Sequence, residues 1–504
     1  MNYEKMNSLN KKLREKEKNY EPLSFIDYYM FHLSSFALSL YRDCSIRKRE
    51  NDEHVTLSSI FLMRSIIEDI SVITFYRKDN PLDCEKLIKD FWAIKEYLIY
   101  KDYSIFNTIL FDFESIKKNY DIKSEEYKEK FREWGLNSKE VNKKLVTIVP
   151  FLKSGYSIKK LIKEYVPEFE DVYERISICI HPVSLLINYD EQIPNYTEII
   201  TAIFSYADEY LNEYYPNIDP NIQDSFEYEY DAYYNNGITK NKHIINSESQ
   251  IQILESISST IKQYSNKNEY DIHIVFLDKI ISILRSVAID RAFGFSEIIK
   301  AKFKVYSELC STYYFLLSKN KGNEFEDYKF LMKYFTLWQF NDSYSNELNE
   351  AFIIYKKHYN EIDIKNFEEK LSKDLPTFLG FTSIREFVFN MYKGMNYDAI
   401  LASLCEVLYN ESQAFSHGNG YLLSSMDGSF MDYMSTMQMM DLLLSKLLFI
   451  YVENEKNKYS NEIHIGNKHK KYFSDLSILL EQYNKSIYHK KIIDFILYIN
   501  GRFI

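Results

Sequence analysis

Twelve glycines and nine prolines among 504 residues leave this chain few places to turn sharply. A sheet-rich chain reverses every few residues and draws on such residues at each reversal, so long helices joined by polar loops are favoured. The apolar spacing agrees. Residues 9–20 and 24–46 read as helices, the second through Phe25, Tyr28, Tyr29, His32, Phe36 and Leu40. Thr56 or Ser58 is placed to cap a third helix, from about Leu57 to Tyr76. That helix is apolar nearly all round, which predicts a place in the middle of a bundle. Asp83 opens a helix through Phe91, Trp92, Tyr97 and Tyr100, followed by an amphipathic stretch from Ile105 to Trp134. Ser157 opens another, interrupted by Pro167; helices over about 168–180 and 196–215 follow. The predicted fold class is all-α.

The pattern then returns. Lys304-Val305-Tyr306-Ser307-Glu308 echoes Arg64-Ser65-Ile66-Ile67-Glu68 at a displacement of 240 residues, and Asp342 echoes Asp102 at the same displacement. Lys356-Lys357-His358-Tyr359 echoes Lys117-Lys118-Asn119-Tyr120 at 239. Biased composition produces isolated matches, but not several in one order at nearly one displacement. The expected organisation is therefore a first helical bundle over 1–215, a connection over 216–250, a second bundle over 251–456 and a helical tail over 457–504. The connection is read from Pro216, Pro220, Gly237 and clustered Asn, Asp and Tyr without a sustained period.

The repeat also carries the most chemical stretch of the chain. Tyr173 to Pro182 places a histidine, His181, eight residues after a tyrosine and directly before a helix-stopping residue; Tyr409 to Gly418 does the same with His417. Pro182 disfavours helical angles at His181, and Gly418 suits a left-handed cap. Both imidazoles are thus expected at the last carbonyls of a helix, where the dipole favours the protonated form. Arg175 precedes His181 by six residues. A guanidinium can hold a phosphate with its planar fork, and an imidazole can move a proton at neutral pH. Together they suit metal-free RNA cleavage. The blander alternative has both histidines capping carbonyls and Arg175 paired with a carboxylate on a neighbouring helix.

Arg-x5-His resembles the R-x(4–6)-H signature of the HEPN superfamily. Tyr173-x-x-Ile176-Ser177-x-x-Ile180-His181 with Arg64-Ser65-x-x-Glu68 is similar to a HEPN-like family of mostly uncharacterised bacterial proteins. The resemblance covers about 55–215 well and 295–455 in degraded form. It implies small antiparallel helical bundles paired through their motif faces, here as a pseudo-dimer within one chain. It also implies a metal-independent endoribonuclease or RNA-binding effector of a phage-defence or toxin system. Arg175 and His181, assisted by His417, would be catalytic. Ile176 departs from the polar residue usual after the arginine, and Glu411 stands where the second arginine belongs.

Around that pair the expected supporting residues are Glu68, Arg64, Ser177, Tyr173, Glu308 and Tyr409. A carboxylate inside an apolar helix needs a partner. Arg64 and Lys304 each lie one turn before their glutamate, and Glu68 can orient His181 or bond backbone at the end of the motif helix. Tyr173 and Ser177 share a face, as do Tyr409 and Gln413.

Five scattered cysteines without a C-x-x-C pair fit a reduced compartment and no zinc site. A net charge of −11 argues against a broadly phosphate-binding surface. The N-terminal residues lack a signal-peptide core, and the run from Leu442 to Val452 is too short to span a bilayer. His464 and His469 with Lys468, Lys470 and Lys471 read as a solvated turn, and the run Met431, Met434, Met437, Met439 and Met440 as core. A cytoplasmic chain without cofactor or metal is expected. Its candidate partners are RNA, a regulatory or antitoxin protein and a second copy of itself, but not a membrane. The competing function is a non-catalytic scaffold or sensor that binds a protein or small ligand between the bundles.

Overall fold

A computed structural model describes residues 1–19, 21, 23–49, 51, 54–79, 158–180, 189–231, 242–264, 272–318, 381–395, 399–416, 433–460 and 467–486. The expected elements over 83–134, the capping residues Asp102 and Asp342, His181, His417, His464 and a tail helix near 492–499 lie outside the described residues. Among the described residues the regular structure is helical, with no strand. The protein is all-α.

Helix α1 is Tyr3–Lys18, α2 Phe25–Arg49 and α3 Leu57–Asp79. After these come α4, Ile158–Tyr165, α5, Glu170–Ile180, and α6, Tyr196–Tyr214. The later helices are α7, Lys242–Tyr264, α8, Ile272–Ala292, α9, Ser296–Ser318, α10, Ile384–Gly394, α11, Ala399–Phe415, and α12, Tyr433–Ser460. Last is α13, Asn467–Ser486.

Local chemistry sets several of the ends. Asn2 starts α1 earlier than the apolar period suggests, because its side chain accepts the Lys5 amide at 3.1 Å. Ser24 and Asp27 form a reciprocal capping box on α2, each side chain taking the other's amide at 3.1 Å. Thr56 and Ser59 do the same for α3. Pro167 breaks the chain between α4 and α5, opening a short 3-10 turn, Pro167–Phe169, rather than continuing a helix. Between α8 and α9, Gly294 takes a φ of +79°, and the Phe295 amide reaches back to the Asp290 carbonyl at 2.8 Å. This is the left-handed exit that glycine permits at little cost.

The packing follows from which helices are buried all round. Ile60, Phe61, Leu62, Met63, Ile66, Ile67, Ile70 and Ile73 of α3 are all buried, and α3 touches α2, α4, α5 and α6. Helix α1 lies on α2. Helix α9 has the corresponding place later in the chain, touching α8, α10, α11 and α12, while α7 lies on α8. Helix neighbours thus recur in the order in which the sequence repeats. The earlier and later sets meet through α2 and α3 against α8 and α9, and α13 packs on α7 and α12.

Part of the stretch read as a connection is packed. Ile222–Asp224 is a 3-10 turn and Phe226–Asp231 a short helix, held to α1. Asn7 donates to the Asp224 carbonyl at 3.1 Å, and the Tyr3 hydroxyl donates to Glu229 at 2.7 Å. The absence of a period was a poor guide there because the segment is anchored by polar bonds to α1. Helix α7 itself begins within the same stretch, at Lys242. Met439 and Met440 are fully buried and Met437 partly so, as core methionines.

Candidate functional site at the ends of the motif helices

Glu68 sits one turn after Arg64 on α3, facing α5, and is 2% exposed. The Tyr173 hydroxyl donates to Glu68 Oε1 at 2.7 Å, and Arg64 Nε lies 3.2 Å from the same oxygen. The Arg64 guanidinium also lies over the Tyr173 ring, 5.8 Å from its centroid. Burial opposes the charge of Arg64, but Tyr173 and Glu68 outweigh it and hold its pKa above the usual arginine value. Burial, reinforced by Glu68, pushes the Tyr173 phenol up, so it stays a donor. A hydrogen bond to a charged group contributes about 1.5–3 kcal/mol net. It offsets part of the cost of placing a carboxylate in an apolar helix.

The same construction stands on α9 and α11. The Tyr409 hydroxyl donates to Glu308 Oε1 at 2.9 Å, and Gln413 Nε2 donates to the Tyr409 oxygen at 3.0 Å. Burial pushes Glu308 above the ordinary carboxylate range, with Lys304, Tyr409 and Arg64 pulling it back. Burial lowers Lys304 to about 8, against the pull of Glu308. Arg64 acts on Glu308, and both Arg64 and Glu68 act on Lys304, so the two sets share one electrostatic environment.

The residues singled out in the sequence separate here. Tyr173, Glu68, Tyr409 and Glu308 are buried and bonded as pairs. Ser177, which shares a helix face with Tyr173, has its hydroxyl oxygen buried and makes no hydrogen bond through it. Arg175 is exposed on α5 and makes no ion pair with any described carboxylate. Among the described residues no carboxylate of a neighbouring helix pairs with Arg175. His181 and His417 lie outside the described residues, and of the Glu411 side chain nothing is described. The residues directly before each histidine are described. Ser65 of α3 donates to the Ser416 carbonyl at the end of α11, at 3.0 Å. At the end of α5, Cys179 is buried, and Lys279 of α8 acts on it electrostatically.

Lys279 was not singled out in the sequence. It lies three residues after Phe276 and four before Ile283, both buried, so the helical period already put it on the apolar face of α8. Its Nζ is buried without a hydrogen-bond partner and stands 3.5 Å from the Tyr189 ring centroid. Burial lowers its pKa to about 7, opposed only by Cys179. Burial in turn pushes the Cys179 thiol up to about 12, although Lys279 and Arg175 both draw it down. At neutral pH the cysteine is a neutral thiol, and it gives the lysine no counter-charge.

A second pair that the sequence does not bring together is His32, which it places only on the apolar face of α2, and Asp69 of α3. His32 Nδ1 lies 2.5 Å from Asp69 Oδ2, both residues are fully buried, and the imidazole stacks on Phe36 at 4.1 Å. Burial pushes Asp69 up to about 6. Buried on every side, the pair belongs to the core.

Among the described residues no helix is long and apolar enough to cross a membrane, and no group of three or more His, Cys, Asp or Glu side chains is placed to hold a metal ion. No family model, curated protein or solved structure matches the chain. What defines this protein is thus its own geometry, an all-α chain with two buried Tyr–Glu pairs, Tyr173 with Glu68 and Tyr409 with Glu308.

Proposed function

We propose that the chain is an RNA-directed effector of the HEPN type, a metal-independent endoribonuclease or RNA-binding protein of a phage-defence or toxin system. Its two bundles would pair as a pseudo-dimer through their motif helices. The observation that carries this reading is Arg175. It lies on the helix whose Tyr173 and Ile176 are consumed by the core, yet it is exposed and has no described carboxylate. A guanidinium left out of internal pairing is available to a phosphate. The end of α11 supports it as well: the carbonyl of Ser416, the residue before His417, accepts from Ser65 of α3 in the other set of helices.

In this reading Arg175 holds a phosphodiester, His181 moves the proton of the 2′-hydroxyl or of the leaving oxygen, and His417 assists from the second bundle. Glu68 and Tyr173 keep α5 fixed on α3. An antitoxin or other regulatory protein, or a second copy of the chain, would control access. The test is incubation of the purified protein with total RNA and with tRNA in EDTA, beside the double variant Arg175→Ala/His181→Ala. Cleavage by the parent and none by the variant is the expected result; identical RNA profiles remove the nuclease.

A second reading, a helical scaffold or sensor without catalysis, draws on Glu68, Tyr173, Glu308 and Tyr409. These four motif residues bond to one another inside the core. Under it, His181→Ala lowers the melting temperature and leaves both RNA profile and cellular toxicity unchanged.

A further inference from the structure

Helices α12 and α13 leave a groove between them of about 390 Å³. Phe449, Val452 and Glu453 line it from α12, and Leu480, Glu481 and Asn484 from α13. Val452 and Leu480 belong to the core, yet Phe449 beside them is 55% exposed. The charges at the rim are matched within their own helices, Glu453 with Lys456 and Glu481 with Lys485. A groove with an apolar centre and a neutralised rim suits an apolar occupant rather than an ionic one.

The chain itself carries such a segment. Helix α13 ends at Ser486, and the two residues before it, Asn484 and Lys485, line the groove. Residues 487–504, outside the described residues, therefore start from the groove's edge. Within them Ile492, Phe495, Ile496 and Ile499 stand at the i, i+3, i+4, i+7 spacing of one helix face. Ile487 to Lys491, with the polar run His489-Lys490-Lys491, has the length of a connection between two antiparallel helices. The spans agree as well. At about 1.5 Å per residue, Ile492 to Ile499 measures about 10 Å as a helix, and Ser477 to Lys485, the part of α13 that lines the groove, about 12 Å.

We infer that residues 492–499 fold back as an apolar strap into the groove between α12 and α13, antiparallel to α13 and covering Phe449. A segment tethered so close to its groove is present there at an effective concentration on the order of millimolar, which favours it over a free partner or a second copy. The strap goes beyond the RNA reading and does not depend on it.

The test uses the full chain with Phe449→Cys, alkylated by iodoacetamide and read by mass spectrometry at that position, so that the native cysteines do not interfere. Alkylation should be about tenfold slower in this chain than in one that also carries Ile492→Asp and Ile496→Asp, which put two charges on the apolar stripe. Ile478→Cys is the control. Ile478 is 52% exposed on α13 but outside the groove lining, so the rate there should not change with the aspartates. Equal rates at position 449 with and without the aspartates overturn the strap. Protection that grows with protein concentration overturns it too, because a second copy is then the occupant. If the aspartates also raise the rate at position 478, that variant has lost its fold, and benzoylphenylalanine at position 449 of the otherwise unchanged chain decides. On irradiation it should crosslink to residues 487–504 of the same molecule. Crosslinks to another segment, or between isotope-labelled and unlabelled copies mixed beforehand, overturn the strap.

Discussion

Replacing Lys279 with methionine should make the protein more stable, and by an amount that depends on pH. Methionine keeps the length of the buried stem and fills the place over Tyr189 without a charge. The lysine pKa falls from 10.5 to about 7 on folding. At about 1.36 kcal/mol per unit, the charged amine costs the fold about 4–5 kcal/mol at full protonation. The sign follows from proton counting. Between pH 10.5 and 7 the unfolded chain binds the proton and the folded chain does not, so stability falls as pH falls through that window. Below about pH 7 both forms are protonated and the deficit is constant.

Lys279→Met removes the deficit, less about 1 kcal/mol for the lost cation–π contact. Its advantage over the parent should be about 3–4 kcal/mol at pH 6 and about 2 kcal/mol smaller at pH 8.5. Because a chain of this size need not unfold in one step, the measurement should report on the surroundings of Lys279 itself. Urea titrations with pulse labelling of Cys179, read by mass spectrometry, do so, since Cys179 is fully buried and acts electrostatically on the lysine. An advantage of equal size at both pH values, or a variant less stable than the parent at pH 6, would refute the reasoning.

Tyr173→Phe and Tyr409→Phe each remove the donor to a buried glutamate and should cost about 1.5–3 kcal/mol, measured as a lower midpoint in urea. A cost near zero would mean that the glutamates are satisfied elsewhere. Asp441, bonded to Tyr483 at 3.3 Å, is pushed up to about 7 by burial. The fold therefore loses stability as pH rises from about 4 to 7, and Asp441→Asn should gain on the parent at pH 8 but not at pH 4. Melting curves at the two pH values decide it.

How far the sequence can be read here depends on how local each feature is. The helical class and the cap at Thr56 rest on residues within a turn or two of one another, and such signals survive in one dimension. So does the partnership of Arg64 with Glu68, which helical spacing alone brings together. The packed segment from Ile222 to Asp231 was read as a connection because its anchors, Asn7 and Tyr3, lie more than two hundred residues away. Distance along the chain hid the pair His32 and Asp69 in the same way. The sequence offers Glu68 to His181 or to the backbone at the end of the motif helix, and a bond seen here comes from the Tyr173 phenol, a residue the sequence places on the motif helix for another reason.

By itself the sequence determined that this protein is helical, that its short motifs return about 240 residues later, and that an arginine precedes a histidine by six residues. Those properties follow from backbone propensity and side-chain period, which each segment carries with it. Only the tertiary structure decided that Tyr173 is buried while Arg175 stays exposed, that Ser65 reaches the end of α11, and that the Lys279 amine is buried over the Tyr189 ring without a hydrogen bond. The physical reason is that a charge is defined by its surroundings. Whether an ionic side chain is solvated, paired or stranded depends on helices brought together from distant parts of the chain.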